Sequence, residues 1–441
     1  MAQEETKTDY MTIICMLIGF VMLIYIGLLA LFMFYPPAFK SLIADPMFLY
    51  EKFRKEEVLY SDPYRDILWA TNPDKPKGVT VNTEQAYQGA TLFESTHFKG
   101  AQLIDMAGNV IHSWQLPYDK ACVEEAENGI PEHMYFWGRA HLSKEGQLFG
   151  IYDCYTSSHL VKLDHDGTEL WRYSDHPHHD VEETEDGFVY TFSTHSNMDP
   201  NPAMPQITEP YMDEFVVKLD ANGQEVQRIS IFKAFEGSPA EHMLTQMIHD
   251  PTGGRLNAGD MLHPNSIEII PEALEELYPF YKKGHLMLSF RNNGLLAILD
   301  PESEKITYAA YGPWRAQHDP RFWEDGSVIM YDNEGWLGEG GASRVIQFDP
   351  QSMFIFWQYT GTEQKPLYSA FNSSVDPLPN GNILITESAG GRLLEVNQAG
   401  EIVWEFYNPY REMYEGAEMM PSVFRGRRYS GDKLSFVGAR Q

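Results

Sequence analysis

The sequence contains few cysteines and few basic residues, and each shortage argues against a class of binding site or partner. Three cysteines occur in 441 residues, and no CxxC, HExxH or paired zinc-type spacing is present, so a structural metal is not indicated. Lysine and arginine number 33 against 63 aspartates and glutamates, a formal net charge of −30. That field repels phosphates and argues against nucleic acid or anionic lipid as a partner. A small anionic substrate is still compatible with this net charge if arginine and histidine side chains make the electrostatic potential inside a cleft positive.

The cysteines leave the redox compartment open. Cys15 lies in an apolar run, whereas Cys122 and Cys154 lie in the remaining, more polar part of the chain. The latter two form a disulfide if that part is extracytoplasmic, and stay as buried free thiols if it is not. Because 43% of the residues are hydrophobic and 13% aromatic, most of the chain is expected to be globular rather than disordered.

One long hydrophobic run is present. Residues 11–35 are uncharged and mostly apolar, and Pro36-Pro37 ends the run, so we predict a single N-terminal transmembrane helix after a tail of residues 1–10. A cleaved signal peptide is the alternative. It is disfavoured because the first nine residues mix acidic and basic side chains and because the run is too long for a signal-peptide core.

The orientation of this span is not decided by charge. Lys40, Lys52, Arg54 and Lys55 follow it and only Lys7 precedes it, which by the positive-inside rule favours a cytoplasmic C-terminal part. Long folded domains, however, translocate largely regardless of this bias. Residues 36–77 combine a helical pattern with three prolines, and we interpret them as a juxtamembrane helix and linker.

From residue 78 the chain consists of short β-rich runs separated by glycine turns, with no long amphipathic helix between them. One unit, an apolar strand, an Asp- or Asn-centred turn and a second strand, occurs six times, starting at Leu103, Leu160, Val216, Leu299, Ile346 and Leu394. A second hairpin precedes most copies, as at Leu142–Leu148. Two hairpins per copy, repeating about every 50 to 60 residues, predict an all-β six-bladed β-propeller over residues 78–441. A β-sandwich pair or a solenoid explains the period less well.

Three segments of this repeat begin with a histidine. His179 precedes Gly187, and His318 precedes Gly326, by the same eight positions. Because the inner strand of each blade lines the central channel, residues at one register gather near the axis. The same count places Arg139 at this position in another blade. The fourth blade carries an insertion over residues 273–283, so its residues are placed by their local pattern instead. The predicted site residues are Arg139, His179, His263, Asn265, Arg291 and His318.

Arginines and imidazoles in one cavity are typical of an anion site. Guanidinium groups bind a tetrahedral oxyanion through paired hydrogen bonds, and histidine can attack, protonate a leaving group or relay a proton near neutral pH. The alternative is that each imidazole only bonds the backbone of a tight turn. We assign that structural role to His112, His176, His178, His195 and His285, and we assign the recurring Trp114, Trp171, Trp357 and Trp404 to packing between blades.

The most specific segments are His263-Pro264-Asn265-Ser266-Ile267, Ser289-Phe290-Arg291, and Gln317-His318-Asp319 followed by Tyr331-Asp332-Asn333. They resemble the bacterial PAPS-independent arylsulfotransferases (aryl-sulfate sulfotransferases), and the similarity continues through all six repeats. The resemblance implies a six-bladed propeller that moves a sulfuryl group from a phenolic sulfate ester to another phenol, with ping-pong kinetics and without a cofactor.

The resemblance also implies a role for each site residue. His318 matches the histidine that becomes transiently sulfated, and His263 and Arg291 match residues that hold the sulfuryl oxygens, with Asn265 beside them. His179 matches a histidine suited to proton transfer with the phenol. The resemblance does not assign a role to Arg139. Its position in the repeat alone predicts that it binds the substrate.

The resemblance and the apolar run together imply a membrane-anchored arylsulfotransferase-like enzyme in the bacterial inner membrane. The propeller is expected on the periplasmic side, because proteins of the family it resembles are typically periplasmic. Its expected partners are a small aromatic sulfate ester, a phenolic acceptor and the membrane. The alternative is a non-catalytic propeller that serves as a subunit or docking platform of a membrane complex, and a homo-oligomer stays open. A hydrolase that uses the same pocket with water as acceptor is a third hypothesis.

Overall fold

The computed structural model describes residues 68–70, 76–199, 211–247, 260–335, 343–414 and 417–437. The chain divides into two units, residues 1–63 and 64–441, and every described residue belongs to the second. Within the described ranges, no helix has the length and apolar character needed to span a bilayer. The predicted anchor at residues 11–35 and the tail at 1–10 lie outside the described residues, as does most of the predicted linker at 36–77.

The described residues form thirty strands, most of them five to seven residues long. Numbered in chain order, they are β1 Leu68–Ala70, β2 Gly78–Asn82, β3 Ala90–Ser95, β4 Gly100–Ile104, β5 Val110–Gln115, β6 Phe136–Leu142, β7 Leu148–Asp153, β8 Ser158–Leu163, β9 Glu169–Tyr173, β10 Pro177–Glu183, β11 Val189–Asn197, β12 Tyr211–Leu219, β13 Glu225–Ser230, β14 Pro264–Ile269, β15 Leu286–Phe290, β16 Leu295–Asp300, β17 Lys305–Tyr311, β18 His318–Phe322, β19 Val328–Asp332, β20 Arg344–Phe348, β21 Ile355–Tyr359, β22 Gly361–Thr362, β23 Lys365–Pro366, β24 Ser374–Pro377, β25 Ile383–Glu387, β26 Arg392–Val396, β27 Ile402–Tyr407, β28 Glu412–Tyr414, β29 Ala417–Pro421 and β30 Val423–Tyr429.

Helical segments are short, and all but the last of those described lie between strands. The α-helical ones are Tyr118–Ala121, Val123–Glu127, Ile231–Phe235 and Glu241–Met247, and the 3-10 turns are Glu132–Met134, Glu272–Leu274 and Gly431–Leu434.

Six antiparallel sheets form the blades of a β-propeller. Blades 2 to 5 are β6–β9, β10–β13, β14–β17 and β18–β21. Blade 6 is β24–β27 with β2 added at its outer edge, and blade 1 is β3–β5 with β30 as its innermost strand. The inner strands β6, β10, β14, β18, β24 and β30 contact one another around the axis. The predicted all-β six-bladed propeller is confirmed, and strands from both ends of the repeat region close the ring.

Two smaller sheets complete the described part, β1–β29–β28 and the hairpin β22–β23. Residues 68–70 fall within the predicted linker, and they form β1, which pairs with β29. A three-residue strand is too short to leave a periodic signal in the sequence.

Glycine turns separate the strands where the sequence predicted them. Gly146, Gly187, Gly326 and Gly381 connect the first two strands of blades 2, 3, 5 and 6, with φ between +77° and +85°. Residues with a Cβ rarely adopt this conformation, so glycine is the natural choice there. The predicted inner hairpins are therefore confirmed, and the eight-residue spacing counts back along the innermost strand.

Each blade is tied to the next by one side chain on its outer strand. The donors and the carbonyl oxygens that accept are Trp114 to Asp164, Trp171 to Ala221, Gln227 to Pro301, Tyr308 to Pro350, Trp357 to Gln398 and Trp404 to Met106, at 2.7–3.1 Å. The packing role predicted for the four tryptophans is confirmed. The accepting carbonyls lie in the outer turns of the following blades, so this contact repeats all the way around the ring.

Apolar side chains fill the spaces between blades, as in the cluster that joins blades 3 and 4 around Phe192, Ile267 and Phe290. The axis is charged instead. Asp180 and Asp319 both lie within 3.2 Å of Arg425, and Asp319 also accepts from Arg321 at 2.8 Å. Removing one member of such a buried set leaves an uncompensated charge, which is strongly destabilising.

Cys122 and Cys154 form a disulfide with a Cα–Cα distance of 5.5 Å. It connects the short helices after blade 1 to the end of β7, and it resolves the two alternatives that the sequence left open for these cysteines.

Candidate active site

The site is built on a set of β-bulges in the inner strands. Register shifts interrupt the pairing of β6, β10, β14 and β18 with their neighbours, between Trp137 and Arg139, His178 and Val181, Pro264 and Ser266, and His318 and Arg321. A bulge bends the strand and re-aims a side chain that a regular strand would point elsewhere. All four lie at the start of the first strand of a blade, so they gather at one mouth of the channel.

Backbone strain accompanies these bulges. His179 and His263 have φ of +60° and +49°, a conformation that is uncommon for residues other than glycine. Such a residue costs about 1–3 kcal/mol and persists where the surrounding structure enforces it, often at functional sites.

A cavity of about 400 Å³ opens at this mouth. All six blades or the segments that lead into them contribute to its wall, which consists of Phe136, Gly138, Arg139, Ile151, Asp153, His178, His179, Asn265, His318, Phe371, Asn372, Ser373 and Phe424. Four of the six predicted site residues are among them. The register count therefore placed distant segments of the chain around one space.

His318 is held in a defined tautomer. Its Nδ1 lies 3.0 Å from the carbonyl oxygen of Ala316 and 2.8 Å from Oδ1 of Asn333. The orientation of the Asn333 amide is fixed because its Nδ2 donates to the carbonyl oxygens of Ser369 and Asn372 at 2.9 and 3.0 Å. Both groups near Nδ1 are acceptors, so Nδ1 carries the proton and Nε2 carries the lone pair.

Burial keeps this imidazole neutral. Burial first, and then the positive charge of Arg291, lower the pKa of His318 to about 3. The side chain is thus an unprotonated imidazole at neutral pH, and its Nε2 has no hydrogen-bond partner within the described part of the chain.

Arg291 and His263 lie beside the cavity rather than in its wall. The backbone N–H of Arg291 donates to the carbonyl oxygen of His263 at 3.1 Å, and burial lowers the pKa of the Arg291 guanidinium. Nδ1 of His263 lies 2.6 Å from Oδ2 of Asp260. Burial opposes ionisation of this aspartate, but the hydrogen bond and the charge of His263 outweigh it, so the pKa of Asp260 is lowered.

His179 adjoins His263, with ring centroids 4.7 Å apart. Burial, together with His263, His178 and other cationic neighbours, lowers the pKa of His179 well below its ordinary value. Its Nδ1 lies 2.7 Å from Nδ1 of His178, and Nε2 of His178 lies 2.9 Å from a carboxylate oxygen of Glu214. The sequence assigned His178 to a structural role and gave no sign of Glu214.

Arg139 and Asn265 reach the cavity but have other partners too. Nε of Arg139 donates to the carbonyl oxygen of His179 at 2.7 Å and lies 3.2 Å from Asp180. The amide nitrogen of Asn265 donates to the carbonyl oxygen of Gln317 at 2.7 Å. Both side chains therefore hold the segments that carry His179 and His318, besides lining the cavity.

Three aromatic rings in the wall were not identified from the sequence. Phe136 and Phe424 lie 6.0 Å apart between centroids, and Phe371 joins them in the lining. Phe424 belongs to β30, which completes blade 1 from the end of the chain, so the register count along the other blades does not reach it. A phenol ring can pack between such side chains.

Burial opposes the negative charge of two acidic groups near the cavity. Burial raises the pKa of Asp153 to about 6 and that of Glu94, near Arg139, to about 8. Of the residues that the structure describes, no group of histidine, cysteine, aspartate or glutamate is arranged to hold a metal ion. The cavity mouth therefore combines the neutral imidazoles of His179 and His318 and a guanidinium with an apolar wall, an arrangement suited to an aromatic anion.

The family model described as arylsulfotransferase (ASST) matches residues 145–409. The chain belongs to the arylsulfotransferase family. The match includes His179, His263, Asn265, Arg291 and His318, whereas Arg139 precedes it. Family membership implies an aryl sulfate donor and a phenol acceptor.

No curated protein sequence matches this chain. Solved structures that resemble it include a protein of unknown function from Bacteroides caccae, with 12% identity over 76% of this chain and 99% of that chain and a TM-score of 0.46. Virginiamycin B lyase from Staphylococcus aureus has 12% identity over 81% and 98%, with a TM-score of 0.41. Hydrazine synthase from Kuenenia stuttgartiensis has 12% identity over 74% and 78%, with a TM-score of 0.39.

Proposed function

We propose that this arylsulfotransferase family member transfers a sulfuryl group from a phenolic sulfate ester to a phenol through a sulfated His318. The observation that carries the proposal is the state of His318. Two acceptors hold its Nδ1–H, burial keeps the ring neutral, and Nε2 is left as a nucleophile in a wall of the cavity. A neutral imidazole that attacks and later leaves gives a double displacement.

The neighbours of His318 suit the charge that develops. Sulfuryl transfer resembles phosphoryl transfer, in which a loose group carries its charge on the peripheral oxygens and positioning with electrostatic stabilisation supplies most of the catalysis. In this proposal Arg291 and His263 bind the sulfuryl oxygens, Asn265 supports them, and His179 exchanges a proton with the phenol oxygen. Phe136, Phe371 and Phe424 pack against the aromatic ring.

The test is transfer from 4-nitrophenyl sulfate to phenol by the purified full-length protein. We expect phenyl sulfate as the product, with parallel lines in double-reciprocal plots because the two substrates never occupy the enzyme as a ternary complex. His318→Asn should abolish turnover, and His195→Asn should leave it unchanged, because His195 is exposed and bonds Asp175 at the surface of blade 3.

Two results would contradict the proposal. Absence of turnover in the parent protein with a range of donors and acceptors would favour the non-catalytic docking platform. Release of 4-nitrophenol that phenol neither accelerates nor diverts into phenyl sulfate would favour the hydrolase.

We further propose that the propeller is periplasmic and anchored to the inner membrane by residues 11–35. The Cys122–Cys154 disulfide supports an oxidising compartment, and the apolar run supports the anchor. Thiol alkylation of cells before and after reduction, followed by mass analysis of the peptides with Cys122 and Cys154, tests the compartment. Alkylation of both cysteines without reduction would place the propeller in the cytoplasm.

Release of the protein from membranes by salt or carbonate would argue against the anchor.

A further inference from the structure

Glu214, His178 and His179 form a continuous hydrogen-bonded chain inside blade 3. A carboxylate oxygen of Glu214 lies 2.9 Å from Nε2 of His178, and Nδ1 of His178 lies 2.7 Å from Nδ1 of His179. Glu214 is buried at 4% exposure on β12, whereas both histidines line the cavity. The chain thus leads from the cavity into the blade.

A local break in the strand makes this contact between adjacent residues achievable. Consecutive side chains of a regular strand point to opposite faces of the sheet. The bulge between His178 and Val181 and the positive φ of His179 break that alternation, so both imidazoles turn toward the same space. Phe192 packs against His178 with ring centroids 5.6 Å apart and helps to fix its plane.

The contact between the two Nδ1 atoms requires one shared proton, since a hydrogen bond needs one donor and one acceptor. Glu214 is only an acceptor when ionised, so Nε2 of His178 carries a hydrogen. Two arrangements then satisfy every contact. In the first, His178 is an imidazolium that donates to His179, whose Nε2 carries a hydrogen. In the second, His178 is neutral and accepts from His179, whose Nε2 carries a lone pair.

We propose that Glu214, His178 and His179 form a proton relay that holds one proton in the unsulfated enzyme, gives it up in the first half-reaction and regains it in the second. The proposal rests on the sulfuryl transfer proposed above. Glu214 and His178 are positioning residues that act through His179, the group that meets the phenol oxygen. The two arrangements are its acid-ready and base-ready states, and they differ by one proton.

The reaction balances without a proton from solvent. In the first half-reaction Nε2 of His318 attacks sulfur, and the bond from sulfur to the aryl oxygen breaks. The departing oxygen takes the proton from Nε2 of His179. At the same time the Nδ1 proton of His178 moves to Nδ1 of His179. In the second, the acceptor phenol gives its proton to Nε2 of His179 and attacks sulfur. The bond from sulfur to His318 breaks, its electron pair returns to Nε2, and the Nδ1 proton of His179 moves back to His178.

Storage on His178 removes a difficulty that His179 alone would face. His179 is buried and lies near His263, His318 and Arg139, all of which disfavour a positive charge on its ring. A positive charge on the His178 ring instead lies beside the Glu214 carboxylate, which stabilises it. The other charged groups that face the relay are Asp153, Asp213 and Asp260.

The experiment compares two donors in rapid mixing without an acceptor. 4-Nitrophenolate leaves without much help from an acid, whereas the phenolate of phenyl sulfate is a stronger base and needs a proton. His178→Gln keeps an acceptor for His179 but cannot hold a proton. We expect it to retain the burst of 4-nitrophenol and to slow the burst from phenyl sulfate by about 100-fold, the usual size of a general acid–base contribution. His195→Gln is the matched control in the same blade and should resemble the parent with both donors.

Glu214→Gln provides a second, independent readout. It preserves a hydrogen-bond acceptor for His178 but removes the negative charge that stabilises the imidazolium. The acid-ready state should then be lost at lower pH, so the alkaline limb of the phenyl sulfate burst should move to lower pH while the 4-nitrophenyl sulfate burst stays unchanged. A purely structural role would not move this limb.

The outcomes separate the two proposals. No burst in the parent with either donor would overturn the sulfated His318 itself. A parental burst together with parental rates and pH profiles in both variants would overturn the relay alone. Loss of both bursts in His178→Gln combined with a parental profile in Glu214→Gln would also overturn the relay, because His178 would then be a structural residue.

Discussion

Asn333 decides which nitrogen of His318 faces the cavity. It is fully buried, accepts the Nδ1–H of His318, and is itself oriented by the carbonyl oxygens of Ser369 and Asn372. Without it only the Ala316 carbonyl holds the tautomer. The nucleophile thus depends on a side chain from the end of the neighbouring strand β19.

We therefore expect Asn333→Ala to slow the sulfation of His318 by about 100-fold or more, as occurs when a catalytic imidazole loses the group that fixes its tautomer. Rapid-mix measurement of the 4-nitrophenol burst checks this. Asn408→Ala is the control, because Asn408 is an equally buried amide that bonds Ser95 and Pro421 away from the cavity. Equal burst rates in Asn333→Ala and the parent would remove Asn333 from the account.

The lowered pKa of His318 gives a pH prediction. Since its pKa is about 3, the ring stays neutral and nucleophilic throughout the range from pH 8 to pH 5. An imidazole with an ordinary pKa near 6.5 would be about 97% protonated at pH 5 and would lose about 30-fold in rate. We expect the 4-nitrophenyl sulfate burst at pH 5 to stay within a few-fold of its value at pH 7. A fall that tracks an ordinary imidazole titration would show that the ring is not buried as described.

At the residue scale, the sequence predicted what depends on counting along a strand and missed what depends on local geometry. His179 and His318 share a register and lie in one cavity wall. The contact of His178 with His179 needs a bulge, and bulges leave no periodic signal. Glu214 reaches His178 from two strands away, a distance in sequence that no motif spans.

At the scale of strands and blades, the inner strands are joined by Asp180 and Asp319, the aspartates that follow His179 and His318. The carboxylate of Asp180 accepts from the backbone N–H of Ile267 in blade 4 at 3.0 Å, and that of Asp319 accepts from Val375 in blade 6 at 3.1 Å. In each His-Asp pair the aspartate binds another blade and the histidine faces the cavity. The bond between Nδ1 of His318 and the carbonyl oxygen of Ala316 is the kind of backbone contact that the structural alternative predicted, and it coexists with a place in the cavity wall.

Asp180→Ala should lower the free energy of unfolding by about 3–5 kcal/mol, because it removes the negative partner of Arg425 and Arg139 in a buried setting. Chemical denaturation followed by tryptophan fluorescence measures this. Glu185→Ala, at an exposed position of the same blade, should change stability by about 0.5 kcal/mol or less. If the two variants were equally stable, the charged axis would not be what joins the blades.

The contacts between blades show how far a sequence pattern reaches at this scale. Four tryptophans recur at one position of the outer strand, and the sequence predicted their packing. Gln227 and Tyr308 occupy the equivalent places in blades 3 and 4. They make the same hydrogen bond to the next turn, but their residue types differ, so the pattern could not identify them.

The described residues form a ring that strands from both ends of the repeat region close, and the Cys122–Cys154 disulfide cross-links it. β30 completes blade 1 as its inner strand, and β2 extends blade 6 at its outer edge. The repeat count predicted six blades, because each blade carries its own turns. It could not predict which strands close the ring, because these pair with partners more than 300 residues away.

Loss of the Cys122–Cys154 bond, which spans 32 residues, should cost about 2–4 kcal/mol through the greater freedom of the unfolded chain. The double variant Cys122→Ser, Cys154→Ser should therefore melt at a lower temperature than the oxidised parent. Reductant should lower the melting temperature of the parent and leave that of the double variant unchanged. If reductant destabilised both equally, the effect would not come from this bond.

The central claim is that His318 becomes covalently sulfated, and mass analysis of the protein quenched shortly after mixing with 4-nitrophenyl sulfate tests it most directly. We predict one added SO₃ group, located on the peptide that contains His318, absent from His318→Asn and removed when phenol is added before the quench. An unmodified His318 peptide in a protein that nevertheless transfers sulfate to phenol, or an adduct on another residue, would contradict the account.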